Sequence, residues 1–111
     1  MIARAQSYAL SGLEGVAVTV EADISKGIPS YEMVGLPDAA VKESKERVRS
    51  AIKNSALEFP SHKITVNLAP ANLKKAGTHY DLPILLSIMA AAGSVRRPKS
   101  SSAFIGEVSL E

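Results

Sequence analysis

The hydrophobic period of the chain changes once between Val34 and Pro70, and this change limits the possible folds more than any other feature. From Asp38 to Ser55, apolar or small residues recur every three or four positions, which predicts a helix with one buried face. From Lys63 to Leu68, apolar and polar residues alternate, which predicts a strand with one buried face. The helix positions expected to be buried are Val41, Ser44, Val48, Ala51, Ile52 and Ser55. A helix and a strand that each bury one side predict two packed layers.

A turn at residues 35–38 marks the start of the helix. Gly35 and Pro37 favour a turn, and Asp38 follows them directly. An Asp at this position accepts a hydrogen bond from a free backbone N–H of the first helical turn and interacts favourably with the helix dipole. We therefore expect Asp38 to be the N-cap residue of the helix.

The residues before this turn predict three strands. Ile2–Leu10 and Val16–Glu21 have strand composition and flank a turn at residues 11–15, which indicates a hairpin. After a break at residues 26–29, Ser30–Val34 is predicted to form a third strand that leads directly into the turn at residues 35–38. The N-terminal third of the chain is thus expected to contribute strands only.

The C-terminal part predicts one more helix and one more strand. Asp81–Ala92 is apolar on almost all sides, so this helix should be buried on several of them, with Asp81 as its N-cap. Ala103–Leu110 is predicted to be a last strand. The expected order is β-β-β-α-β-α-β, which indicates an α+β two-layer sandwich.

Composition limits the number of domains and the compartment. The 111 residues, 46% of them hydrophobic, suffice for one core, so we expect a single domain over residues 1–111. The chain has no cysteine, which excludes disulfides and thiol chemistry and is compatible with a reducing cytoplasm. The N-terminus lacks the apolar run of a signal peptide, and the longest apolar stretch, residues 82–93, is too short to cross a bilayer. We expect a cytoplasmic protein without membrane contact.

Charge is distributed unevenly along the chain. Residues 1–37 contain two basic and four acidic residues and so carry −2, whereas the whole chain carries +2, which leaves +4 on the remainder. This asymmetry is mild: it permits contact with nucleic acid or with an acidic surface, but it falls well short of the concentrated basic stripe that identifies a DNA-binding face.

Four segments together resemble one protein family. They are Val34–Pro70, Asn67–Gly77, Tyr80–Ile84 and Phe104–Leu110, which cover nearly the whole chain after the first three strands. Their sequence and order resemble the N-terminal domain of the magnesium-chelatase-like AAA+ ATPases, the YifB family. The resemblance implies a Lon-protease-domain-like fold, which is also that of a ribosomal-protein second domain.

The resemblance also implies a function. The chain has neither a Gly-x-x-x-x-Gly-Lys-Ser/Thr phosphate loop nor a Gly-x-Gly-x-x-Gly fingerprint, so we expect no cofactor site in it. The family carries its ATP- and Mg-dependent AAA+ module downstream, and its members include competence proteins that process DNA during natural transformation. We therefore expect an excised, non-catalytic structural or regulatory domain, with the AAA+ module of the same chain as partner and a homo-oligomeric, hexameric parent.

A Lon-type Ser-Lys peptidase domain is one alternative, and a stand-alone nucleic-acid-binding module is another. Aligning the glycine of the Lon nucleophile motif with Gly77 places His79 at the position of the nucleophilic serine, and Thr78 is one position out of register. The resemblance places the lysine of the dyad beyond the end of the chain. No metal site is expected, because His62 and His79, the two histidines, lack metal-ligand spacing.

Two segments offer basic residues for contact with DNA or a partner. The first helix has an excess of basic residues, although charged helix faces commonly serve solubility alone. The loop over residues 72–80 is either a contact surface or a solvated connection. The candidate contact residues are Lys42, Lys45, Arg49, Lys74, Lys75 and His79. Replacing Lys74 and Lys75 together by alanine is expected to weaken DNA binding or hexamer assembly of the full-length ATPase while leaving the melting temperature of the isolated domain nearly unchanged.

Overall fold

The computed structural model describes residues 1–11 and 14–109, which form one four-stranded sheet and three helices. The elements in chain order are β1 (Ile2–Ser11), β2 (Glu14–Ser25), β3 (Ser30–Val34), α1 (Ala39–Lys42), α2 (Ser44–Asn54), β4 (Lys63–Ala69) and α3 (Asp81–Ala91). The three N-terminal strands and the fourth strand confirm the predicted order up to the second helix. Residues 12 and 13 of the turn expected after β1 lie outside the described residues.

The strands lie in the order β1-β2-β4-β3. β1 pairs with β2 and β2 pairs with β4 in antiparallel orientation, whereas β3 pairs with β4 in parallel. Two parallel neighbours need a crossover between them, and α1 and α2 provide it. The last residues of β3 and the start of the helical segment are therefore held close to β4.

One face of the sheet forms the core. Most strand residues that alternate toward this face are buried, and Val20, Ile64 and Leu68 are at most 1% exposed. α3 packs against β1 and β2, and α2 packs against α3 on the same side of the sheet. The other face is polar and includes the Arg4–Glu21 pair at 2.7 Å between Nε and Oε2. This arrangement confirms the predicted two-layer α+β sandwich.

The first predicted helix is divided into two. Asp38 caps α1 as predicted, because its Oδ1 accepts a hydrogen bond from the Val41 N–H at 2.9 Å. At Glu43 the helix is interrupted, and the Glu46 N–H donates to the Glu43 carbonyl at 3.1 Å, a tighter turn than that of an α-helix. Val41, Ser44, Val48 and Ile52 are buried as predicted, whereas Ala51 is half-buried and Ser55 is exposed.

The turn before α1 needs glycine at residue 35. Gly35 has a φ of 108°, and a Cβ on it would lie 2.1 Å from the carbonyl oxygen of Leu68 in β4. An L side chain is therefore excluded both by the backbone conformation and by the close approach of the two chain segments. The turn at residues 35–38 is fixed against the sheet before the helical segment begins.

The prediction for Asp81 as an N-cap is wrong. The N-cap of α3 is Tyr80, which makes no side-chain capping bond, and Asp81 is the first helical residue. The Asp81 carboxylate instead accepts two hydrogen bonds from Arg47, from Nε at 2.6 Å and from Nη2 at 3.0 Å. The carboxylate therefore joins α3 to α2 and does not cap its own helix.

The prediction of a last strand at Ala103–Leu110 is also wrong for the part of it that the structure describes. Residues 103–109 form no strand, and one parallel β-bridge joins Gln6 to Ala103. The backbone bonds of this segment go to several elements: Phe104 N–H donates to the Gln6 carbonyl at 2.8 Å, and Gly106 N–H donates to the His79 carbonyl at 2.9 Å. The segment crosses from β1 to the start of α3, so it cannot continue a ladder along β1. Residues 110 and 111 lie outside the described residues.

Among residues 1–11 and 14–109, the structure contains no helix with the length and apolar character needed to cross a membrane.

Candidate nucleic-acid interface

A groove lies between the start of β3, one side of α2 and the segment that leads to β4. Its volume is about 340 Å³. Its lining residues are Pro29, Ser30, Tyr31, Lys45, Arg49, Lys53, Phe59, Pro60, Ser61 and His62. We call this feature the basic groove, because three cationic side chains and no carboxylate are among these lining residues.

The three cations of the basic groove lie on one ridge of α2. Lys45, Arg49 and Lys53 are spaced four residues apart, so they follow one another along the same side of the helix. Lys45 Nζ lies 5.5 Å from the centroid of the Tyr31 ring, and Arg49 Cζ lies 5.1 Å from the centroid of the Phe59 ring. Two of the three cations thus contact aromatic faces.

The two aromatic rings are neighbours. The centroids of Tyr31 and Phe59 are 6.5 Å apart, and the ring planes are inclined by 36°. The hydroxyl end of Tyr31 points inward toward Ser44 and Asp81, where burial raises the pKa of the phenol well above its ordinary value. The inner end of Tyr31 is therefore buried, while its ring contributes to the groove wall.

Among the described residues, no ion pair compensates the charge of the basic groove. Within the part of the chain that the structure describes, Lys45, Arg49 and Lys53 take part in no ion pair. Arg47 lies on the same helix but turns inward, where it pairs with Asp81 and donates to the Ala40 carbonyl at 2.9 Å. The helix therefore separates one structural cation from three cations that are available to an anionic ligand.

Lys75 is not a surface residue, which contradicts its prediction as a contact residue. The side chain is 0% exposed, and Nζ donates hydrogen bonds to the carbonyls of Gly35, at 2.7 Å, and Pro70. Burial lowers the pKa of the ammonium group, and the two carbonyl oxygens are its polar partners. The backbone adds two bonds, since Lys75 N–H donates to the Leu36 carbonyl and Asp38 N–H donates to the Lys75 carbonyl, each at 2.9 Å. Lys75 holds the turn at residues 35–38.

The other two candidates in the loop differ from each other. Lys74 is exposed. His79 is half-buried; its Nε2 donates to the Tyr8 carbonyl at 2.8 Å, and its ring centroid lies 4.0 Å from that of Tyr80. The neighbouring Thr78 Oγ1 donates to Glu107 Oε2 at 2.8 Å. Both Thr78 and His79 thus serve contacts within the domain.

The structure therefore groups the predicted contact residues differently. Lys45 and Arg49 meet in the basic groove, whereas Lys42 is exposed on α1 and does not line it, and Lys74 and His79 lie in the separate loop. Sequence reasoning missed Tyr31, Phe59 and His62 as groove residues. It counted Lys53 among the basic residues of the helix but did not select it as a contact, although the four-residue step from Arg49 places it on the same ridge. Over residues 1–11 and 14–109, no cluster of three or more His, Asp or Glu side chains is placed to hold a metal ion.

Comparison with known proteins places the chain in a family. The profile of the family described as subunit ChlI of Mg-chelatase matches residues 20–111. The uncharacterised protein YifB of Escherichia coli strain K12 is 49% identical over 100 residues, which are 89% of this chain and 20% of that protein. The competence protein ComM of Haemophilus influenzae is 48% identical over 86 residues, which are 78% of this chain and 17% of that protein. YifB of Salmonella typhimurium is 44% identical over 110 residues, 98% of this chain and 22% of that protein.

The fold and these matches define a magnesium-chelatase-like domain of α+β two-layer architecture. The chain belongs to the magnesium-chelatase-like family that includes YifB and ComM. It spans about a fifth of the length of these curated relatives.

Proposed function

We propose that the chain is a non-catalytic structural or regulatory domain at the N-terminus of a cytoplasmic, magnesium-chelatase-like AAA+ ATPase. In this proposal a downstream AAA+ module of the same protein binds ATP and Mg²⁺ and hydrolyses ATP, and the parent assembles into a homo-hexamer. The parent processes DNA during natural transformation. Support comes from the family match and from a relative that is named a competence protein, of which the matched segment is 17%.

One observation carries the non-catalytic part of the proposal: the side chains at the Lon-like nucleophile position are committed to structural contacts. The hydroxyl of Thr78 donates to Glu107, and the imidazole of His79 donates to the Tyr8 carbonyl. A Ser-Lys or Thr-Lys dyad needs a hydroxyl within hydrogen-bond reach of a lysine that takes its proton. Lys75 is the buried lysine of this loop, and its bonded partners are carbonyl oxygens. This geometry favours a scaffold over a peptidase.

The 111-residue chain alone tests the non-catalytic part. We expect no hydrolysis of ATP and no cleavage of an unfolded protein substrate such as casein. The Thr78→Ala variant is the control for the nearest candidate nucleophile, and it should behave like the unaltered chain. Peptide cleavage that disappears in Thr78→Ala would show that this edge of the domain is catalytic and would overturn the proposal.

The part of the proposal that concerns the parent needs the complete gene product. We expect Mg²⁺-dependent ATP hydrolysis that DNA stimulates, and a mass in solution that corresponds to a hexamer. Removing residues 1–111 should change the DNA stimulation or the assembly while the downstream module still binds ATP. A gene product that binds no ATP would contradict the assignment to an ATPase.

A further inference from the structure

We infer that the basic groove is a binding site for single-stranded DNA, in which Lys45, Arg49 and Lys53 contact the phosphates and Tyr31 and Phe59 contact the bases. This inference rests on the proposed function insofar as it takes DNA as the polymer. The groove itself follows from the positions of its side chains, and no catalytic step is involved.

The length of the cationic ridge matches several phosphates of one strand. From Lys45 to Lys53 the helix advances by about 12 Å, at about 1.5 Å per residue. A stacked strand presents one phosphate for about every 3.4 Å of its axis, so the ridge faces about three or four phosphates. Because no ion pair among the described residues neutralises these three cations, binding a phosphate breaks no existing salt bridge.

The aromatic wall favours a single strand over a duplex. Tyr31 and Phe59 offer ring faces, and unpaired bases stack on such faces irrespective of sequence. In a duplex the bases are paired and stacked inside the helix, so the rings would gain little. A concave groove of about 340 Å³ also suits a nucleotide that can turn its base inward better than the convex surface of a duplex.

In the groove without a ligand, two of the cationic side chains cover the aromatic rings, and they can move away from the rings when DNA binds. Lys45 lies over Tyr31 and Arg49 lies over Phe59, and exposed contacts of this kind are weak. Both side chains are long enough to turn from the ring to a nearby phosphate. The same movement uncovers the ring face for a base, so the phosphate contact and the base contact become available together. A polyglutamate chain would use the cations but has no aromatic ring to stack on Tyr31 and Phe59.

The test measures the anisotropy of fluorescent oligothymidylate with the 111-residue chain over a series of salt concentrations. The Lys45→Gln/Arg49→Gln variant should bind about tenfold more weakly or worse at low salt, because it loses two phosphate contacts. The slope of log affinity against log salt should become shallower by about 1.4, since each single-strand contact contributes about 0.7. Arg96→Gln/Lys99→Gln removes the same charge from an exposed loop outside the groove and is the matched control.

Two further variants keep the test decisive if the double variant is poorly folded. Lys53→Glu changes an exposed residue that contacts neither ring in the described structure, and it should also weaken binding and reduce the salt slope. Phe59→Leu should weaken binding while the salt slope stays the same, because it removes a stacking surface and no charge. Thermal melting of each variant, followed by circular dichroism, checks folding.

Three results would overturn the inference. The first is equal affinity of the groove variants and the Arg96→Gln/Lys99→Gln control. The second is binding of duplex DNA as tight as that of oligothymidylate, and the third is displacement of oligothymidylate by polyglutamate at matched charge, which would indicate an acidic protein partner. None of these results bears on the ATP and casein assays, so failure of the groove and failure of the proposed function are distinguishable.

Discussion

Replacing Asp81 by alanine should lower the free energy of unfolding by about 3–5 kcal/mol, because it removes the buried carboxylate partner of the Arg47 guanidinium group. The other carboxylate that pairs with Arg47, that of Glu43 at 3.9 Å from Nη1, is 71% exposed and compensates the charge only weakly. Asp81 is 1% exposed, and the Arg47 side chain is 14% exposed. The two groups form a bidentate pair with distances of 2.6 Å from Nε to Oδ2 and 3.0 Å from Nη2 to Oδ1. Asp81 Oδ2 also accepts a hydrogen bond from the Val108 N–H at 3.2 Å. One substitution therefore removes the partner of α2 and a partner of the C-terminal segment.

An exposed ion pair of similar length provides the control. Arg4 and Glu21 are 2.7 Å apart between Nε and Oε2, but their side chains are 59% and 28% exposed. Water already solvates such a pair, so Glu21→Ala should cost about 0.2–1 kcal/mol. Urea denaturation followed by circular dichroism gives the free energies for both variants. The difference between Asp81→Ala and Glu21→Ala isolates burial, since each change replaces an acidic partner of an arginine.

A double-mutant cycle tests whether the loss of stability comes from the buried charge that each single substitution leaves without its partner. Arg47→Met alone should also destabilise the chain, because the buried Asp81 carboxylate then loses two of its hydrogen bonds. Arg47→Met combined with Asp81→Leu should recover much of the loss, since no buried charge remains. If Asp81→Ala costs no more than Glu21→Ala, or if the double variant is as unstable as the sum of the two single variants, the reasoning is refuted.

Three further predictions concern the helical segment, the loop at residues 72–80 and alkaline pH. Asp38→Ala should lower the free energy of unfolding by about 1 kcal/mol through loss of the N-cap, and Ile52→Ala should lower it by about 2–4 kcal/mol through loss of buried volume. A lower urea midpoint for Asp38→Ala than for Ile52→Ala would contradict the helix assignment. Lys75→Ala should cost about 2 kcal/mol or more, whereas Lys74→Ala should stay within about 0.5 kcal/mol; equal melting temperatures would refute the structural role of Lys75. Burial raises the pKa of Tyr31, so the unfolded chain ionises first and stability should fall as the pH rises above about 10; melting temperatures across this range should fall less steeply for Tyr31→Phe.

The features that were predicted correctly from the sequence are those that depend on residues close together in the chain. In β4, Ile64, Val66 and Leu68 alternate with polar residues and are all buried, because a strand has two faces and one of them meets the helices. The N-cap at Asp38 was also predictable, since the bonded N–H belongs to Val41, three residues away. In both cases the residues that decide the structure are neighbours in the chain.

The wrong predictions depend on partners far away in the chain. Asp81 has the composition of an N-cap, but Arg47, 34 residues earlier, binds its carboxylate. Lys75 is a typical surface residue by type, but its ammonium group donates a hydrogen bond to the Gly35 carbonyl, 40 residues earlier. The segment expected to form a last strand divides its backbone bonds among β1 and the start of α3. A single sequence carries no local signal for such pairings.

The cationic side of the basic groove could be predicted from the sequence, whereas its aromatic side depends on residues that are far apart in the chain. Lys45 and Arg49 share a helix ridge, so their proximity follows from the helical period. Tyr31 and Phe59 come together because β3 pairs in parallel with β4, and the residues that lead into β4 then pass beside the start of β3. This parallel pairing depends on the crossover through α1 and α2, which no short motif specifies. The cations were accessible to sequence reasoning, and the aromatic wall was not.

Lys75, in the loop at residues 72–80, can affect DNA binding only indirectly, because its side chain is buried. Lys75 holds the turn at residues 35–38 through its ammonium group and through two backbone bonds, and α1 and α2 follow this turn directly. The residue therefore positions the helix that carries Lys45 and Arg49, although its own side chain is buried away from any ligand. Weaker DNA binding in a Lys75 variant would not by itself identify a phosphate contact. A lost phosphate contact reduces the salt slope and leaves stability nearly unchanged, whereas a displaced helix lowers stability as well. Measuring both quantities separates a ligand contact from a support for one.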